Sequence, residues 1–121
     1  MSQTALVLGA SPKPDRYSHQ AVKLLLEHGH RVIPLHPRAE EIAGVPVVHS
    51  LGEIAEPIDT VSLYLRPARL RPILEDLIAL RPGRVIFSPG TEDEESKERL
   101  RREGIEALEA CTLVLLRTGQ F

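Results

Sequence analysis

Apolar residues gather in five short runs, and stretches of helical spacing lie between them. Each run is rich in Val, Ile or Leu, and Gly, Pro or Asp stands near its ends, a pattern typical of buried strands. The predicted strands cover residues 4–9, 31–35, 59–65, 84–87 and 105–108. A shorter extended piece over residues 44–48 is predicted at a sheet edge, because Pro46 cannot donate a hydrogen bond to a neighbouring strand.

Helical spacing predicts three helices. Apolar residues share one helical face in residues 18–28 and again in residues 67–78, where Pro67 suits the first turn. Thr91 and Glu94 have the form of a capping box and predict a third helix that reaches about residue 103. Three acid–base pairs four residues apart support that helix: Asp93/Lys97, Glu95/Arg99 and Glu98/Arg102. Residues 113–116 are predicted to form a packed tail after the last strand.

Strands that alternate with helices over the full length predict the fold class. The expectation is an α/β fold, a Rossmann-like three-layer sandwich with a mostly parallel five-stranded sheet and right-handed crossovers. The sequence contains no internal repeat, low-complexity segment or linker. Residues 1–121 are therefore predicted to form a single domain.

Composition narrows the possible partners. The chain has a net charge of -2, two Phe, two Tyr and no Trp, which is unlike the basic, aromatic surface of a nucleic-acid binder. Its single cysteine suits a reducing compartment, and no apolar run approaches the roughly 18 residues that span a membrane. These features predict a cytoplasmic protein. The lack of Asn with abundant Arg, Glu and Pro resembles heat-adapted proteins.

The loop after the first strand is the first candidate site, because ligands of doubly wound sheets lie beyond the carboxyl ends of the strands. Small residues there allow close approach, hydroxyls can donate hydrogen bonds, and two cations precede a helix N-terminus, all of which suit a phosphate. The candidate residues are Gly9, Ala10, Ser11, Lys13, Arg16 and Ser18. A tight turn with solvated cations is the plain alternative.

The usual dinucleotide fingerprint is absent from this loop. Two of its three glycines are replaced, and Pro12 and Pro14 crowd the helix entrance. The second strand ends in His36-Pro37-Arg38, where an NAD-binding domain would place an acid on the ribose. A cation there favours a phosphorylated ribose, as in NADP or in coenzyme A (CoA) with its 3'-phosphate, and the pattern leaves both ligands open.

Several segments together resemble a known family. Residues 7–11 read Val-Leu-Gly-Ala-Ser, residues 32–37 read Val-Ile-Pro-Leu-His-Pro, and residues 86–92 read Ile-Phe-Ser-Pro-Gly-Thr-Glu. With Glu-Ala-Cys-Thr-Leu at 109–113, their order and spacing resemble the small stand-alone CoA-binding domain family. That family is related to the N-terminal CoA-binding domain of the succinyl-CoA synthetase alpha subunit. The resemblance covers nearly the whole chain.

The resemblance implies CoA or an acyl-CoA as the cofactor. It places the phosphates on the first loop, the adenosine beside residues 37–38, the end of the third strand along the ligand, and the pantetheine arm beside residues 88–90 after the fourth strand. The cofactor-binding residues implied beyond the first loop are His36, Pro37, Arg38, Tyr64, Leu65, Ser88, Pro89 and Gly90. Ser88 stands where many relatives carry a larger amide or aromatic-amide pattern.

No catalytic residue and no metal ligand is predicted. The related synthetases use a phosphorylated histidine on another domain, and most of the five histidines here are predicted to be surface or loop residues. The acids at 92–95 are explained by the start of a helix. Cys111 could form a mixed disulfide with CoA or accept an acyl group, but a small buried structural role is favoured.

The predicted function is therefore a binding module for CoA or an acyl-CoA, without catalysis of its own. The alternatives are an NADP-linked small oxidoreductase and an accessory subunit of a separate acyl-CoA enzyme. Neither nucleic acid nor a membrane is an expected partner, whereas a homo-oligomer or a separate enzyme subunit is possible.

Overall fold

The computed structural model describes residues 2–121, so Met1, the first residue of the predicted domain, lies outside the described residues. Strands and helices alternate along the chain, as the apolar pattern predicts. The strands are β1 Thr4–Leu8, β2 Arg31–Leu35, β3 Glu41–Ile42, β4 Val45–Pro46, β5 Thr60–Leu63, β6 Arg84–Phe87 and β7 Glu106–Glu109. The helices are α1 Tyr17–Glu27, α2 Pro67–Leu70, α3 Leu74–Ala79, α4 Glu94–Arg102 and α5 Thr112–Arg117.

Five strands form one parallel sheet in the order β2-β1-β5-β6-β7. On the central strand β1, Leu6 lies between Ile33 of β2 and Val61 of β5. Strands β3 and β4 pair separately as a short antiparallel hairpin, which is how the predicted edge piece folds. The predicted Rossmann-like α/β architecture with a mostly parallel sheet is confirmed.

Both faces of the sheet are covered, which explains why β1 is apolar without interruption. Leu6 and Leu8 point into a core that includes Leu77 of α3 and Leu100 of α4. The alternate residues of β1 point into a second core with side chains of α1 and α5: Ala5, Val7, Val22, Leu25 and Leu116. Successive strand residues face opposite sides, so one apolar run supplies both cores.

The helix predicted over residues 67–78 is wrong as a continuous element. Helix α2 ends at Leu70, a 3-10 turn covers Arg71–Ile73, and α3 begins at Leu74. Pro72 lies within that turn, where it cannot donate a backbone hydrogen bond and its ring disfavours a continuous helix. The apolar stripe is nevertheless kept, because both pieces bury their leucines against the sheet.

The start of α4 also differs from its prediction. The capping box is wrong, because the Thr91 hydroxyl donates to the carbonyl oxygen of Ser88 at 2.7 Å, and Asp93 is the residue that precedes the helix. The three predicted acid–base pairs are wrong as well, because Lys97 and Arg99 pair with other acids and Arg102 forms no ion pair within residues 2–121. The observed pairs are Arg71 with Asp93, Lys97 with Glu94 and Glu109, and Arg99 with Glu75 and Glu103.

The tail of the chain is more regular than predicted. Residues Thr112–Arg117 form a helix, and Leu116 packs with α1 in the second core. The last strand ends one residue later than predicted, at Glu109. Within residues 2–121, no helix is long and apolar enough to cross a membrane.

Asp93 is a buried carboxylate held by Arg71 on the neighbouring 3-10 turn. Arg71 donates through Nε to Oδ2 at 3.0 Å and through Nη2 to Oδ1 at 2.8 Å, and the Ser96 hydroxyl donates to Oδ2 at 2.6 Å. The Arg71 hydrogen bonds, helped by Ser96, lower the pKa of Asp93 to about 2. The pair ties α4 to the segment between α2 and α3.

We predict that Asp93→Asn lowers the free energy of unfolding at neutral pH by about 1–2 kcal/mol, less than the full pKa shift implies because Arg71 is half exposed. A carboxyl group with a lowered folded-state pKa stabilises the fold above its unfolded pKa, and this is lost as the pH falls through its folded pKa. Wild-type stability should therefore fall between about pH 4 and pH 2 more steeply than that of the variant.

Urea unfolding across this pH range measures the difference. Asp76→Asn is the matched control, because Asp76 is exposed and forms no ion pair within residues 2–121. Identical pH slopes for Asp93→Asn and Asp76→Asn would contradict the prediction.

Candidate functional site

The carboxyl ends of β1 and β5 border the candidate site. In the sheet, β2 lies on one side of β1, and β5, β6 and β7 lie on the other side. The direction of connection therefore reverses between β1 and β5, and a crevice forms where the loops leave the two strands in opposite directions. Residues 9–16 follow β1, and residues 64–66 follow β5.

A glycine is required at position 9, because the two loops approach each other closely there. Its φ is +91°, and a Cβ placed on it would lie 2.9 Å from Cδ2 of Leu65 and 3.0 Å from the carbonyl carbon of Tyr64. Ala10 is buried, and its N–H donates to the carbonyl oxygen of Leu35 at 3.1 Å. Both residues therefore hold the loop against its neighbours, and their contact with a phosphate stays a prediction.

The first loop and the start of α1 surround a cavity of about 320 Å³, here called the loop cavity. Its lining residues are Gly9, Ser11, Lys13, Arg16, Tyr17, Ser18 and Tyr64. The structure thus brings together the serines and both cations that the sequence predicts. Tyr17 was not among the predicted site residues, although it lies between Arg16 and Ser18 in the same loop.

Short hydrogen bonds order the loop. The Lys13 N–H donates to Oγ of Ser11 and the Arg16 N–H to the carbonyl oxygen of Lys13, both at 3.1 Å. Nδ1 of His19 donates to the carbonyl oxygen of Ser11 at 3.0 Å. His19 is only 7% exposed. His19 is therefore an exception to the surface or loop positions predicted for most of the histidines, and it anchors the loop from a buried position.

Positive charge in the loop cavity is not neutralised by the protein. Lys13 and Arg16 are exposed, and neither forms an ion pair within residues 2–121. No side chain caps α1, and no acid lies in its first turn, so the amide N–H groups of that turn remain available. Asp15 is the only acid of the loop. This combination favours an anion over the helix N-terminus.

A second cavity of about 340 Å³ adjoins the first and is here called the thiol cavity. It is lined by Tyr17, Tyr64, Ser88, Pro89, Cys111, Leu113 and Arg117. Tyr17 and Tyr64 line both cavities, so the two spaces meet at these rings. Three lining residues of this cavity are predicted from the sequence, and four are not: Tyr17, Cys111, Leu113 and Arg117. Leu113 and Arg117 are four residues apart, a helical spacing, within a segment that the sequence predicts as a tail.

Two buried hydroxyls in the thiol cavity lack hydrogen-bond partners. Tyr64 Oη and Ser88 Oγ are enclosed, and neither forms a well-aligned hydrogen bond within residues 2–121, although Ser62, Ser88 and Thr112 lie near the Tyr64 hydroxyl. The nearby hydroxyls of Ser62 and Thr112 are 2.7 Å apart and bond to each other. Burial raises the pKa of Tyr64, so its hydroxyl keeps its proton and can donate. Unpartnered buried hydroxyls cost stability, and they point to a bound polar group.

The remaining predicted residues lie at the same edge of the sheet but outside the two cavities. Nδ1 of His36 accepts the N–H groups of Arg38 at 3.0 Å and Ala39 at 2.9 Å, which closes the turn after β2. Arg38 is exposed, and Pro37 lies beside it in this turn. Leu65 packs against Gly9, and the Gly90 N–H donates to Oε1 of Glu92. Their contacts with a ligand stay predictions.

Other parts of the described chain offer less for a ligand. A cavity of about 210 Å³ lies between β2 and residues 45–56, and its Arg31 and Glu56 side chains are bonded to each other. Two further cavities, of about 370 and 350 Å³, share no lining residue with each other or with the cavities above. Residues 2–121 contain no group of three His, Cys, Asp or Glu side chains placed to hold a metal ion. The two adjoining cavities at the β1–β5 crevice are therefore the candidate site.

Comparison with known proteins adds a family to this geometry. Residues 3–117 match the protein family described as CoA binding domain. The chain is 33% identical over 103 residues to the uncharacterized protein YneT of Bacillus subtilis strain 168, a match that covers 85% of this chain and 76% of YneT.

Solved structures share the fold. The crystal structure of an uncharacterized protein has a TM-score of 0.94 at 40% identity and covers 100% of this chain and 99% of its own. The dinucleotide-forming acetyl-coenzyme A synthetase 1 of Ca. Korarchaeum cryptofilum, solved with phosphate and ADP, has a TM-score of 0.73 at 21% identity. That match covers 88% of this chain and 25% of the synthetase, and it shows the fold alone.

We predict that Gly9→Ala destabilises the protein more than Gly104→Ala. Both glycines have positive φ, +91° and +81°, but a Cβ on Gly104 would meet no atom within 4 Å. The control should lose about 1–2 kcal/mol from backbone strain alone. Gly9→Ala should lose roughly 1–3 kcal/mol more, the usual cost of overpacking. Denaturant unfolding of both variants measures this difference, and equal losses would contradict the close approach at Gly9.

Proposed function

The chain belongs to the CoA-binding domain family, and we propose that it binds coenzyme A or an acyl-CoA with the diphosphate in the loop cavity. The observation that carries the proposal is the set of unpaired cations beside the uncapped start of α1. A diphosphate supplies the negative charge that Lys13, Arg16 and the free N–H groups lack. The hydroxyls of Ser11 and Ser18 add further donors on the same side.

The turn after β2 supports the proposed position of the adenosine end of this ligand. Arg38 is exposed, and it forms no ion pair within residues 2–121. The two hydrogen bonds that His36 accepts hold the turn in one shape, so Arg38 starts from an ordered backbone. A cation at this position suits the 3'-phosphate of CoA, whereas an NAD ribose calls for an acid.

The thiol cavity supports the proposed position of the pantetheine end of the ligand. A ligand with its diphosphate in the loop cavity can pass the rings of Tyr17 and Tyr64 and enter the thiol cavity. The pantetheine arm combines short apolar stretches with amide groups, and the cavity offers Pro89 and Leu113 as apolar walls. Tyr64 Oη and Ser88 Oγ are free to donate to an amide oxygen. This proposal assigns binding to the chain and no catalytic step.

NADP is the alternative ligand, since the cation after β2 also suits a ribose 2'-phosphate. An NADP-linked oxidoreductase would use the same loop for its diphosphate. The two ligands differ in the part that would enter the thiol cavity. For CoA this part is the amide arm, whose oxygens can accept hydrogen bonds from the Tyr64 and Ser88 hydroxyls. A role as an accessory subunit of an acyl-CoA enzyme is compatible with the proposed binding.

We predict that Arg16→Ala weakens the binding of CoA by roughly 1.5–3 kcal/mol, because it removes a charge-assisted hydrogen bond to the diphosphate. Isothermal titration calorimetry measures the dissociation constant. Arg102→Ala is the matched control, because Arg102 is exposed, forms no ion pair within residues 2–121 and lies at the end of α4. The control should bind CoA as the wild type does.

Titrating NADPH in the same experiment separates the two ligands. Tighter binding of NADPH than of CoA would overturn the proposed function. Unchanged CoA affinity in Arg16→Ala would show that the diphosphate does not lie in the loop cavity.

We further predict that Arg38→Glu weakens CoA more than dephospho-CoA. The two ligands differ only in the 3'-phosphate, so the difference between their losses isolates its contact with Arg38. The excess loss should shrink at high salt, because ions screen an exposed charge pair. Calorimetric titration of both ligands into the wild type and the variant measures it. Equal losses for both ligands would leave Arg38 as a solvated side chain.

A further inference from the structure

Cys111 is a half-buried free thiol in the wall of the thiol cavity. It follows β7 and immediately precedes α5, so the end of the last sheet strand and the start of a helix hold it in place. The chain has no other cysteine, and a disulfide within one chain is therefore impossible. A small thiol buried only for packing would not need to face a cavity.

The hydroxyls of the same cavity point independently to a ligand. Ser88 is 2% exposed, and its Oγ has no hydrogen-bond partner within residues 2–121. Tyr64 lines the same space, and its buried Oη also forms no well-aligned hydrogen bond within residues 2–121. Both can donate to a carbonyl oxygen. The cavity is thus prepared for a molecule that carries amide oxygens and that passes close to Cys111.

The adjoining loop cavity determines which part of the ligand arrives there. With the diphosphate near Lys13 and Arg16, a part of the ligand that extends past Tyr17 and Tyr64 enters the thiol cavity. In CoA this part is an amide chain that ends in a thiol. The terminal sulfur of the ligand and the sulfur of Cys111 would then share one enclosed space.

We propose that Cys111 is a site of thiol–disulfide exchange with CoA and that it holds CoA as a mixed disulfide. This proposal rests on the proposed function, since the ligand must first bind through its diphosphate. The co-reactant is CoA disulfide. The Cys111 thiol loses its proton to water, and its thiolate attacks one sulfur of the CoA disulfide. The bond between the two CoA sulfurs breaks as the new disulfide forms, and the second CoA leaves as a thiolate and takes up a proton.

The exchange is balanced in electrons, because one disulfide is consumed and one is formed. No second protein thiol exists in the chain to attack the mixed disulfide, so the adduct persists until an external thiol reduces it. Binding raises the effective concentration of the ligand sulfur at Cys111, so CoA disulfide should react faster than a disulfide that has no nucleotide. The protein would then store CoA covalently under oxidising conditions.

Intact-protein mass spectrometry tests the proposal. The reduced protein is incubated with CoA disulfide or, in parallel, with oxidised glutathione, and the adduct is followed over time. We expect one CoA per chain, released by dithiothreitol, and a rate at least about tenfold above that with glutathione. Arg16→Ala should lose most of this advantage over glutathione, and Arg102→Ala should behave as the wild type does. Cys111→Ser should form no adduct.

Two further measurements keep the result unambiguous. Ser88→Ala should slow the reaction with CoA disulfide more than the reaction with glutathione. Calorimetry with reduced CoA on the wild type reports the proposed binding separately. If the wild type binds CoA but reacts equally fast with both disulfides, or forms no adduct, the exchange proposal is overturned and the binding function stands. If reduced CoA does not bind, the proposed function itself fails.

Discussion

The close approach between Gly9 and the backbone of Tyr64 is the constraint on which the rest of the site depends. The Tyr64 N–H donates to the carbonyl oxygen of Leu8 at 2.8 Å, so β1 and β5 stay paired up to the point where the loops begin. A side chain at position 9 would collide with Tyr64 and Leu65. Because Gly9 lacks one, Tyr64 can lie against the first loop, and the loop cavity and the thiol cavity meet at its ring.

The net charge of -2 conceals a local site of opposite sign. Away from the crevice, several long basic side chains are paired with acids from other elements. These pairs are Arg31–Glu56, Arg71–Asp93, Lys97–Glu109 and Arg99–Glu75. Lys13 and Arg16 have no such partner within residues 2–121, so two unpaired cations lie together beside the start of α1. A charge pattern of this kind selects anionic ligands without making the whole surface basic.

The hydroxyl groups at the carboxyl ends of the strands also fall into two sets, those with a hydrogen-bond partner and those without one. Ser62 and Thr112 satisfy each other, whereas Tyr64 and Ser88, which line the thiol cavity, are left open. An unsatisfied buried hydroxyl costs about 1–3 kcal/mol, so the open pair lowers stability unless a ligand or water completes it. The rigid parallel sheet beneath them supplies the stability that allows this loss, and the open donors lie where the proposed ligand would pass.

Local physics explains what the sequence by itself determined. Apolar runs of strand length located all five sheet strands to within two residues at their ends, and the residues of the first loop indicated the cations and serines of the loop cavity. These features depend on side-chain periodicity and on neighbours a few residues away. The tertiary structure decided the rest, because the remaining features depend on pairs distant in the chain. Arg71 finds Asp93, α5 brings Leu113 and Arg117 beside Ser88, and Cys111 faces a cavity that several separate segments enclose. No local pattern encodes which distant surfaces meet, so those contacts follow only from the packing of the complete sheet and its helices.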